Sequence, residues 1–548
     1  MRDISFKLPS GQLKQLPVGS TLNLLAKDGE CHNAVAFVLN NQLIGLNQSV
    51  LLGGELKPIF IADKWGLQAY RRSLNLLLMA AVNELYPAVH FVIGQTVADA
   101  YFYRYSGELP DNYLEAINQK MQTLVAASLA INHTFMSYQE ALTYFNKMGQ
   151  SYSHSLLEYS NEATLAFYQL GATYSLDYGL QLPNTSLLSK YQLIKGENGF
   201  FLRYPTNLLD SSFPERQERP LVMATYREHR SWVAMLGSDS VGNLNKHLRH
   251  KASLQRLIHL SEGLHDKKVA AIADQIAGRG QVKFVFIAGP SSSGKTTFTK
   301  KLAMQLEING FKPHLIGLDH FYTINRDAIP LTDKGEKDLE HIKALDLPLI
   351  NQTLTALIKG DKVAIPKYSF KTKERTFDAA PLELTEKSIV LIEGIHGLNE
   401  QISASITSEH KFKIYISALI QLNIDEQHRL STSDSRLIRR IVRDWQFRNT
   451  GASDTLAMWP NVKAGEEKWI FPYQETADVA FNSALDYELF VLKGYIEALL
   501  KEVKANMPHY HEACRLLRYL ERFQVISAQY VPNYSILREF IGDSGYKY

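Results

Sequence analysis

Short apolar runs separated by turn signals fill the first 64 positions of the chain. Apolar and polar residues alternate over 4–16 on either side of Pro9-Ser10-Gly11, which is typical of a β-hairpin. Residues 34–46 repeat the pattern around Asn40-Asn41, and 56–61 predict one more strand. With one short helix between the hairpins, this pattern predicts a small β-grasp domain.

A buried strand that runs into a helix is predicted at 284–306. Phe284 to Ala288 is a short run of apolar residues, and apolar residues at helical spacing follow it from Phe298 to Leu306. The intervening GPSSSGKT fits G-x-x-x-x-G-K-[ST] in full. Its glycines let the backbone approach a polyphosphate, and the N–H groups at the helix N-terminus favour an anion. The predicted nucleotide contacts are Gly289, Ser291, Ser292, Ser293, Gly294, Lys295, Thr296 and Thr297.

Two further predicted strands end at acidic residues. The apolar stretch 314–318 precedes Asp319, and the stretch 388–392 precedes Glu393. In a parallel sheet, residues just past the strand ends line the ligand crevice. Asp319 can there accept the proton of a substrate hydroxyl, while Thr296 and Glu393 can hold Mg²⁺ directly or through water. The fold class predicted for this region is α/β with a parallel sheet.

Between these strands, Tyr368 and Phe370 alternate with Ser369. Both rings then face one side of an extended segment and can sandwich a planar ring. That they are two ordinary strand aromatics stays open as the alternative.

An arginine stripe follows on a predicted helix. Arg436, Arg439, Arg440 and Arg443 fall at i, i+3, i+4 and i+7, and the opposite face carries Leu437, Ile438, Ile441, Val442 and Trp445. Aligned guanidinium groups repel one another unless they meet anions. A lid helix that closes over transferring phosphates meets them there. The alternative is an exposed basic helix paired with surface acids.

Composition narrows the classes of function. The 548 residues are 45% hydrophobic and 21% charged, an ordinary globular balance, and a formal net charge of +3 argues against a nucleic-acid partner. Cys31 and Cys514 are far apart, so a disulfide framework is implausible and a cytoplasmic location is expected. Neither a signal peptide nor an apolar run of membrane-spanning length is evident.

The segments GPSSSGKTT, LDHFY, PKYSF, LIEGI and RLIRRIVRD, in this order, resemble the uridine kinase and phosphoribulokinase-like family of P-loop kinases over about 281–490. The resemblance implies ATP and Mg²⁺ as cofactors and Asp319 as the general base. It also implies a nucleoside pocket lined by Tyr322, Tyr368 and Phe370. The same resemblance implies a lid that carries Arg436, Arg439 and Arg440.

The acceptor pocket departs from the family pattern. Glu340 stands where the family has a ribose-binding aspartate, and Lys373 stands where it has a base-reading histidine. AMWPNVKAGEEKW replaces the region that carries a further glutamine in the family. Glu340, Lys373 and Arg436 remain candidate substrate contacts. The identity of the acceptor stays open.

Residues 1 to about 210 resemble the N-terminal half of threonyl-tRNA synthetase, with its TGS and editing domains. The similarity is carried by the β-grasp pattern, YRRSLNLLLMAAVNELYP and VIGQTVADAYFYRY. The two histidines of the family's editing helix fall at Arg72 and Leu76, and no Cys-x-x-x-His follows. The resemblance implies an inherited scaffold without hydrolytic chemistry. A retained role in binding a small molecule or RNA stays open.

The predicted division is a TGS-like β-grasp domain (1–64), an α+β editing-like domain (65–215), a solvated helical connector (216–280), a P-loop kinase domain (281–500) and a C-terminal helical tail (501–548). The predicted function is ATP-dependent phosphorylation of a small metabolite, a nucleoside such as uridine or cytidine. The alternatives are a kinase of a non-nucleoside alcohol and an RNA-binding regulatory NTPase. A homo-oligomer is compatible with the sequence.

Overall fold

A mixed β-sheet opens the structure, a computed structural model that describes residues 3–27, 29–208, 213, 215, 218–332, 335–369 and 372–547. The sheet has the order β2-β1-β5-β3-β4, with β1 and β5 parallel. Asn40 and Asn41 make the tight turn between β3 and β4 with φ of 49° and 63°, which asparagine tolerates. The β-grasp prediction is confirmed. Its strands are β1 (Asp3–Lys7), β2 (Leu13–Pro17), β3 (Ala36–Leu39), β4 (Gln42–Gly45) and β5 (Gly54–Ile59).

An α+β region follows, organised around a long buried helix. This helix carries an almost unbroken buried run from Ser73 to Val82, so it lies inside the region and contacts strands and helices on several sides. Antiparallel sheets of order β11-β12-β7-β6 and β10-β9-β8 surround it. The elements are α1 (Lys64–Leu85), β6 (His90–Val97), β7 (Ala100–Ser106), α2 (Tyr113–Ala126), β8 (Asn132–Ser137), α3 (Tyr138–Lys147), α4 (Ser151–Leu157), β9 (Thr164–Leu170), β10 (Thr173–Leu176), β11 (Gln192–Gly196) and β12 (Gly199–Arg203).

Residues 220–278 are helical, as predicted, but they are not a solvated connector. Leu257, Ile272 and Ile276 are at most 3% exposed and belong to the same apolar cluster as the strands of the C-terminal half. The alternation of charged and apolar residues gives these helices one polar and one buried face. The helices are α5 (Pro220–Leu236), α6 (Val241–Leu248) and α7 (Lys251–Gly278).

A parallel sheet forms the centre of the C-terminal half. Its order is β14-β17-β13-β18-β19, and each neighbouring pair is parallel. The predicted α/β class is confirmed. The central strand is buried throughout, because helices cover both faces of such a sheet. The strands are β13 (Phe284–Ala288), β14 (Lys312–Gly317), β17 (Ser388–Glu393), β18 (Lys411–Ser417) and β19 (Val479–Asn482), with β15 (Pro366–Ser369) and β16 (Glu374–Phe377) in a separate hairpin.

The remaining helices surround this sheet and connect it to the N-terminal half. Arg515 pairs with Asp434 of the C-terminal half, and Glu512, one turn away, lies 3.4 Å from Lys64. The tail predicted to pack on the kinase region therefore contacts both halves. The helices are α8 (Lys295–Ile308), α9 (Leu347–Lys359), α10 (Thr432–Arg448), α11 (Ala452–Trp469), α12 (Glu488–Lys501), α13 (Tyr510–Glu521) and α14 (Arg538–Ile541).

One apolar cluster runs through much of the molecule. It includes Phe145 and Phe167 from the synthetase-like region, Ile287 from the central strand and Phe540 near the C-terminus. The five-part division of the chain stays a prediction, and this cluster crosses several of its proposed boundaries. Within the described ranges, no helix has the length and apolarity needed to cross a membrane.

Candidate functional site

The glycine-rich loop joins the end of β13 to the start of α8. A Cβ atom on Gly289 would lie 1.9 Å from the carbonyl oxygen of Ile416, so only glycine fits beside the neighbouring strand. Gly294 adopts φ of +79° directly before the helix. The loop therefore depends on the glycines that the motif specifies.

Two hydroxyl groups of this loop have no hydrogen-bond partner among the described residues. The Oγ atoms of Ser292 and Ser293 are buried and make no hydrogen bond within the described part of the chain. Buried polar groups are normally satisfied, so this pair points to a ligand that supplies the partner. Together with the N–H groups at the start of α8, they suit the oxygen atoms of a phosphate.

Lys295 folds back onto the loop. Its Nζ donates to the carbonyl oxygens of Gly289 at 2.9 Å and Pro290 at 3.1 Å. Burial lowers the pKa of Lys295, while Glu393, Glu539, Asp319 and Glu466 oppose that shift. The ammonium group thus lies among carboxylates at the position where the motif requires a cation.

Thr296 and Glu393 lie together beside Lys295. The Thr296 hydroxyl donates to Glu393 Oε1 at 3.1 Å. Burial raises the pKa of Glu393 to about 7, and Lys295 only partly offsets it. An oxygen-only pair of this kind suits Mg²⁺, which keeps several waters and takes one or two protein ligands. Across the described ranges, no group of three or more His, Cys, Asp or Glu side chains could hold a metal ion.

Asp319 lies at the same edge of the sheet. In the parallel register Gly317 is opposite Glu393, and Asp319 follows two residues later in a 3₁₀ turn, Leu318–Phe321. The side chain of Asp319 is exposed to solvent. Asp319 also contributes to the pKa shifts of Lys295 and Glu393, so its carboxyl group lies near both.

Aromatic and acidic groups line the neighbouring surface. The Tyr322 and Tyr368 rings lie 5.7 Å apart at 31°. The carboxyl group of Glu340 is close enough to Asp319, Lys295 and Arg440 to feel their charges, and burial raises its pKa to about 7. Tyr322, Tyr368 and Glu340 are therefore brought to the crevice.

Lys373 and Phe370 are two further predicted substrate contacts. Lys373 is exposed at the turn of the β15–β16 hairpin with φ of 62°. Phe370 lies outside the described residues.

The arginine helix differs from its prediction. Arg436 is 2% exposed and pairs with both carboxylate oxygens of Glu466, while Arg439 is fully buried and pairs with Glu488. The expectation that these guanidinium groups await phosphate anions is wrong for this structure, because acids of the chain itself neutralise them. Trp445 is 51% exposed, so the prediction that it lies on the buried face is also wrong.

Arg440 remains beside the loop. Its Nη1 donates to Ser291 Oγ at 2.7 Å, and its Nε lies 3.2 Å from Asp444. Arg443 pairs with the same aspartate. Arg440 is thus the member of the stripe whose side chain reaches the loop through a hydroxyl group.

Sequence reasoning missed two carboxylates on the loop. Ser291 N donates to Glu466 Oε1 at 3.0 Å. Thr297 N and Oγ1 donate to Glu539 Oε2 at 3.0 and 2.7 Å. Glu466 stands in the AMWPNVKAGEEKW segment, whose departure from the family pattern was the one available signal. No motif surrounds Glu539.

The synthetase-like half has a cavity of about 50 Å³ against α13. Its lining includes Trp65, Arg72, Tyr168, Asp177 and Arg518. Leu76, at the second former histidine position, is fully buried in the apolar core. The wall contains charged and aromatic groups, and neither predicted histidine position supplies a metal ligand.

Comparison with known proteins confirms both resemblances. Residues 284–489 match the model of the Phosphoribulokinase / Uridine kinase family. The N-terminal half is similar to threonine–tRNA ligases. That of Coxiella burnetii is 31% identical over 198 residues, covering 35% of this chain and 30% of the relative. That of Syntrophotalea carbinolica is 27% identical over 245 residues, covering 41% and 38%.

The chain spans about a third of the length of these curated relatives. Among solved structures, D-glycerate 3-kinase from Cryptococcus neoformans var. grubii aligns over 50% of this chain and 88% of its own, at 15% identity and a TM-score of 0.21.

Proposed function

We propose that the chain is an ATP- and Mg²⁺-dependent kinase that phosphorylates a hydroxyl group of a small metabolite, with a nucleoside such as uridine or cytidine as the acceptor. The observation that carries this proposal is the convergence of Lys295, the Thr296–Glu393 pair and Asp319 at one edge of a parallel sheet. The match of residues 284–489 to a kinase family supports it.

The loop and its neighbours would hold the nucleotide. The buried hydroxyls of Ser292 and Ser293, the N–H groups at the start of α8 and the Lys295 ammonium fit phosphate oxygens. Thr296 and Glu393 would hold Mg²⁺. When bound, MgATP supplies the phosphoryl group and an electrophilic phosphorus; Lys295 and Arg440 supply positive charge where negative charge develops.

Asp319 is the proposed general base. Its exposed carboxylate lies past the end of β14, on the side where an acceptor can approach the loop. A base must lie within hydrogen-bond reach of the proton that it removes. Asp319 would take the hydroxyl proton as the acceptor oxygen bonds to phosphorus, while the bond from that phosphorus to the ADP oxygen breaks and ADP leaves.

Tyr322, Tyr368 and Glu340 support a nucleoside acceptor. Aromatic faces pack on planar bases, and a carboxyl group can accept hydrogen bonds from ribose hydroxyls. Glu340 has the right chemistry for the second role, one methylene longer than the aspartate of the family pattern.

A non-nucleoside alcohol is the second candidate acceptor. The contact between the Tyr322 and Tyr368 rings favours it, because rings whose centroids are 5.7 Å apart leave no room for a base between them. A smaller sugar or hydroxy acid needs no such gap.

An ATP-consumption screen tests both candidates. Purified full-length chain is incubated with MgATP and one acceptor at a time, drawn from nucleosides, sugars, pantothenate and hydroxy acids, and ADP release is measured. Uridine- or cytidine-dependent turnover supports the first candidate, and turnover with only a non-nucleoside supports the second. Absence of turnover with every acceptor, by a chain that also fails to bind ATP, contradicts the kinase proposal.

A cytoplasmic location belongs to the same proposal. Cys31 and Cys514 are both free thiols, which suits a reducing compartment.

A further inference from the structure

We propose that the C-terminal segment of the chain, residues 535–547, inhibits the nucleotide site by placing the Glu539 carboxylate where a phosphate group of ATP would bind. The inference rests on the kinase function proposed above and concerns the regulation of that site. In the first turn of α8, the backbone N–H and hydroxyl of Thr297 both donate to Glu539 Oε2, at 3.0 and 2.7 Å.

This position belongs to the anion site of the loop. Thr297 lies two residues after Lys295 in the first turn of the helix, where N–H groups have no partner within the helix. The helix dipole favours negative charge at the same place. A carboxylate that accepts both the N–H and the hydroxyl therefore uses donors that a phosphate oxygen needs.

A second contact brings the segment onto the loop itself. A Cβ atom on Gly294 would lie 2.4 Å from Cγ2 of Ile536, which is fully buried. Farther along, the Phe540 ring lies 5.0 Å from the guanidinium carbon of Arg439. The C-terminal segment thus covers the helix side of the loop with several residues.

The two carboxylates on the loop differ in how firmly they are held. Both oxygens of Glu466 pair with the buried Arg436, so Glu466 is a fixed part of the wall. Within the described residues, Glu539 makes no ion pair, and its side chain is half-exposed. Glu539 can therefore turn away from Thr297 into solvent without leaving a buried charge unpaired.

Charge makes the two occupants exclude one another. Glu393, Asp319 and Glu466 already lie near Lys295, and Glu539 adds a fourth carboxylate to the cluster that surrounds it. A bound triphosphate next to Glu539 would meet like charge and would find the Thr297 donors in use. ATP binding thus requires Glu539 to move away from Thr297. The apparent affinity for ATP is then the intrinsic affinity multiplied by the fraction of molecules in which Glu539 has moved away.

The test compares full-length variants that differ at single exposed or half-exposed residues. Binding of a fluorescent ATP analogue with Mg²⁺ is titrated for the wild-type chain, Glu539→Ala, Glu539→Gln and the control Asp543→Asn. Asp543 is 93% exposed in the same segment and lies 3.7 Å from Arg538, away from the loop. Circular dichroism and urea unfolding verify that each variant is folded.

We expect Glu539→Ala to bind the analogue about tenfold or more tightly than wild type, which corresponds to an open state populated at roughly one part in ten. Glu539→Gln should fall between the two, and Asp543→Asn should match wild type. Equal or weaker binding by folded Glu539→Ala overturns the inhibition but leaves the kinase function standing. If neither wild type nor any Glu539 variant binds the analogue, the proposed function fails and the inhibition fails with it.

Hydrogen exchange on the wild-type chain supplies an independent readout. ATP should increase exchange in residues 535–547 if the segment loosens when Glu539 leaves Thr297. A decrease in that segment on ATP addition would mean that it helps to bind the nucleotide, and would overturn the proposal.

Discussion

Two acids of the synthetase-like half and two acids at the edge of the parallel sheet differ in how fully the protein neutralises them. In the synthetase-like half, Asp99 receives two hydrogen bonds from Arg203, and Asp177 pairs with His133 and Arg518. Burial opposes ionisation of Asp177, but these partners outweigh it and lower its pKa. Asp99 and Asp177 each have a basic side chain of the protein beside them.

At the edge of the parallel sheet, basic partners offset the burial of the acids less completely. Glu393 and Glu340 have pKa values raised to about 7 by burial, and the Ser292 and Ser293 hydroxyls lack partners in the described part of the chain. A set of groups with unmet demand for charge or hydrogen bonds indicates a ligand site, whereas a set that is satisfied internally indicates structure. The convergence of such groups beside Lys295 at one edge of the parallel sheet supports the kinase site proposed in the C-terminal half.

The largest effect is expected when Lys295→Ala is compared with Arg72→Ala. The first variant removes a cation from the loop, and the second removes a cation from the cavity of the synthetase-like half. Lys295→Ala should reduce ADP release to below a tenth of wild type, since charge stabilisation at transferring phosphates is typically worth several kcal/mol. Arg72→Ala should leave turnover within about twofold, because the residues that line its cavity are not those of the loop. Steady-state turnover with saturating MgATP measures both. Comparable losses in the two variants would contradict the assignment.

The buried ion pair between Arg436 of α10 and Glu466 should contribute to the stability of the fold, even though it lies beside the site. Arg436→Ala leaves the Glu466 carboxylate buried without its partner, so the free energy of unfolding should fall by about 3–5 kcal/mol. Arg448→Ala, on the same helix but 55% exposed, should cost less than about 1 kcal/mol. Urea unfolding at neutral pH distinguishes them, and equal stability of the two variants would show that the Arg436 pair is not structural.

Asp319→Asn tests the proposed general base directly. The change keeps the size of the side chain but removes its basicity, so kcat should fall about a hundredfold with a smaller change in the acceptor KM. Asp327→Asn, fully exposed on the neighbouring loop, is the matched control. Restoration of full kcat by excess Mg²⁺ would make Asp319 a metal ligand and place the base elsewhere.

The raised pKa of Glu393 predicts a smaller effect of pH. Glu393 is mostly ionised at pH 8 and mostly protonated at pH 6, because its pKa is about 7. Mg²⁺ needs the ionised form, so its affinity in the presence of ATP should fall by about tenfold from pH 8 to pH 6. Calorimetric titration of Mg²⁺ at both pH values measures this. The affinity of metal-free ATP is the control, and an unchanged Mg²⁺ affinity would remove Glu393 from the proposed metal site.

The local pattern of apolar residues and the glycine-rich motif are sufficient to predict the strand and the helix on either side of the loop. The loop, its preceding strand and its following helix have signals within about twenty residues, and β13 begins and ends where predicted. Asp319 and Glu393 were found because the ends of parallel strands meet at one edge. Boundaries shifted elsewhere: β14 runs from Lys312 to Gly317, whereas the sequence predicts a strand over 314–318.

Long-range partners could not be read from the sequence. Arg439 and Glu488 are 49 residues apart, and Thr297 and Glu539 are 242 residues apart. Helical spacing placed the arginines on one face correctly but said nothing of which acids would meet that face. The exposure of Trp445 has the same origin, since the helix periodicity does not reveal where its packing partners end.

The apolar cluster shared by the two halves has a consequence for biosynthesis. Phe145 and Phe167 leave the ribosome early, yet their cluster is completed by Ile536, Leu537 and Phe540, within the last fifteen residues of this chain. A nascent chain must keep this apolar surface exposed until translation of these residues is complete, and such surface is where chaperones bind. A chain cut short at residue 530 would carry the whole loop motif and still present an unfinished core to the cell's proteases.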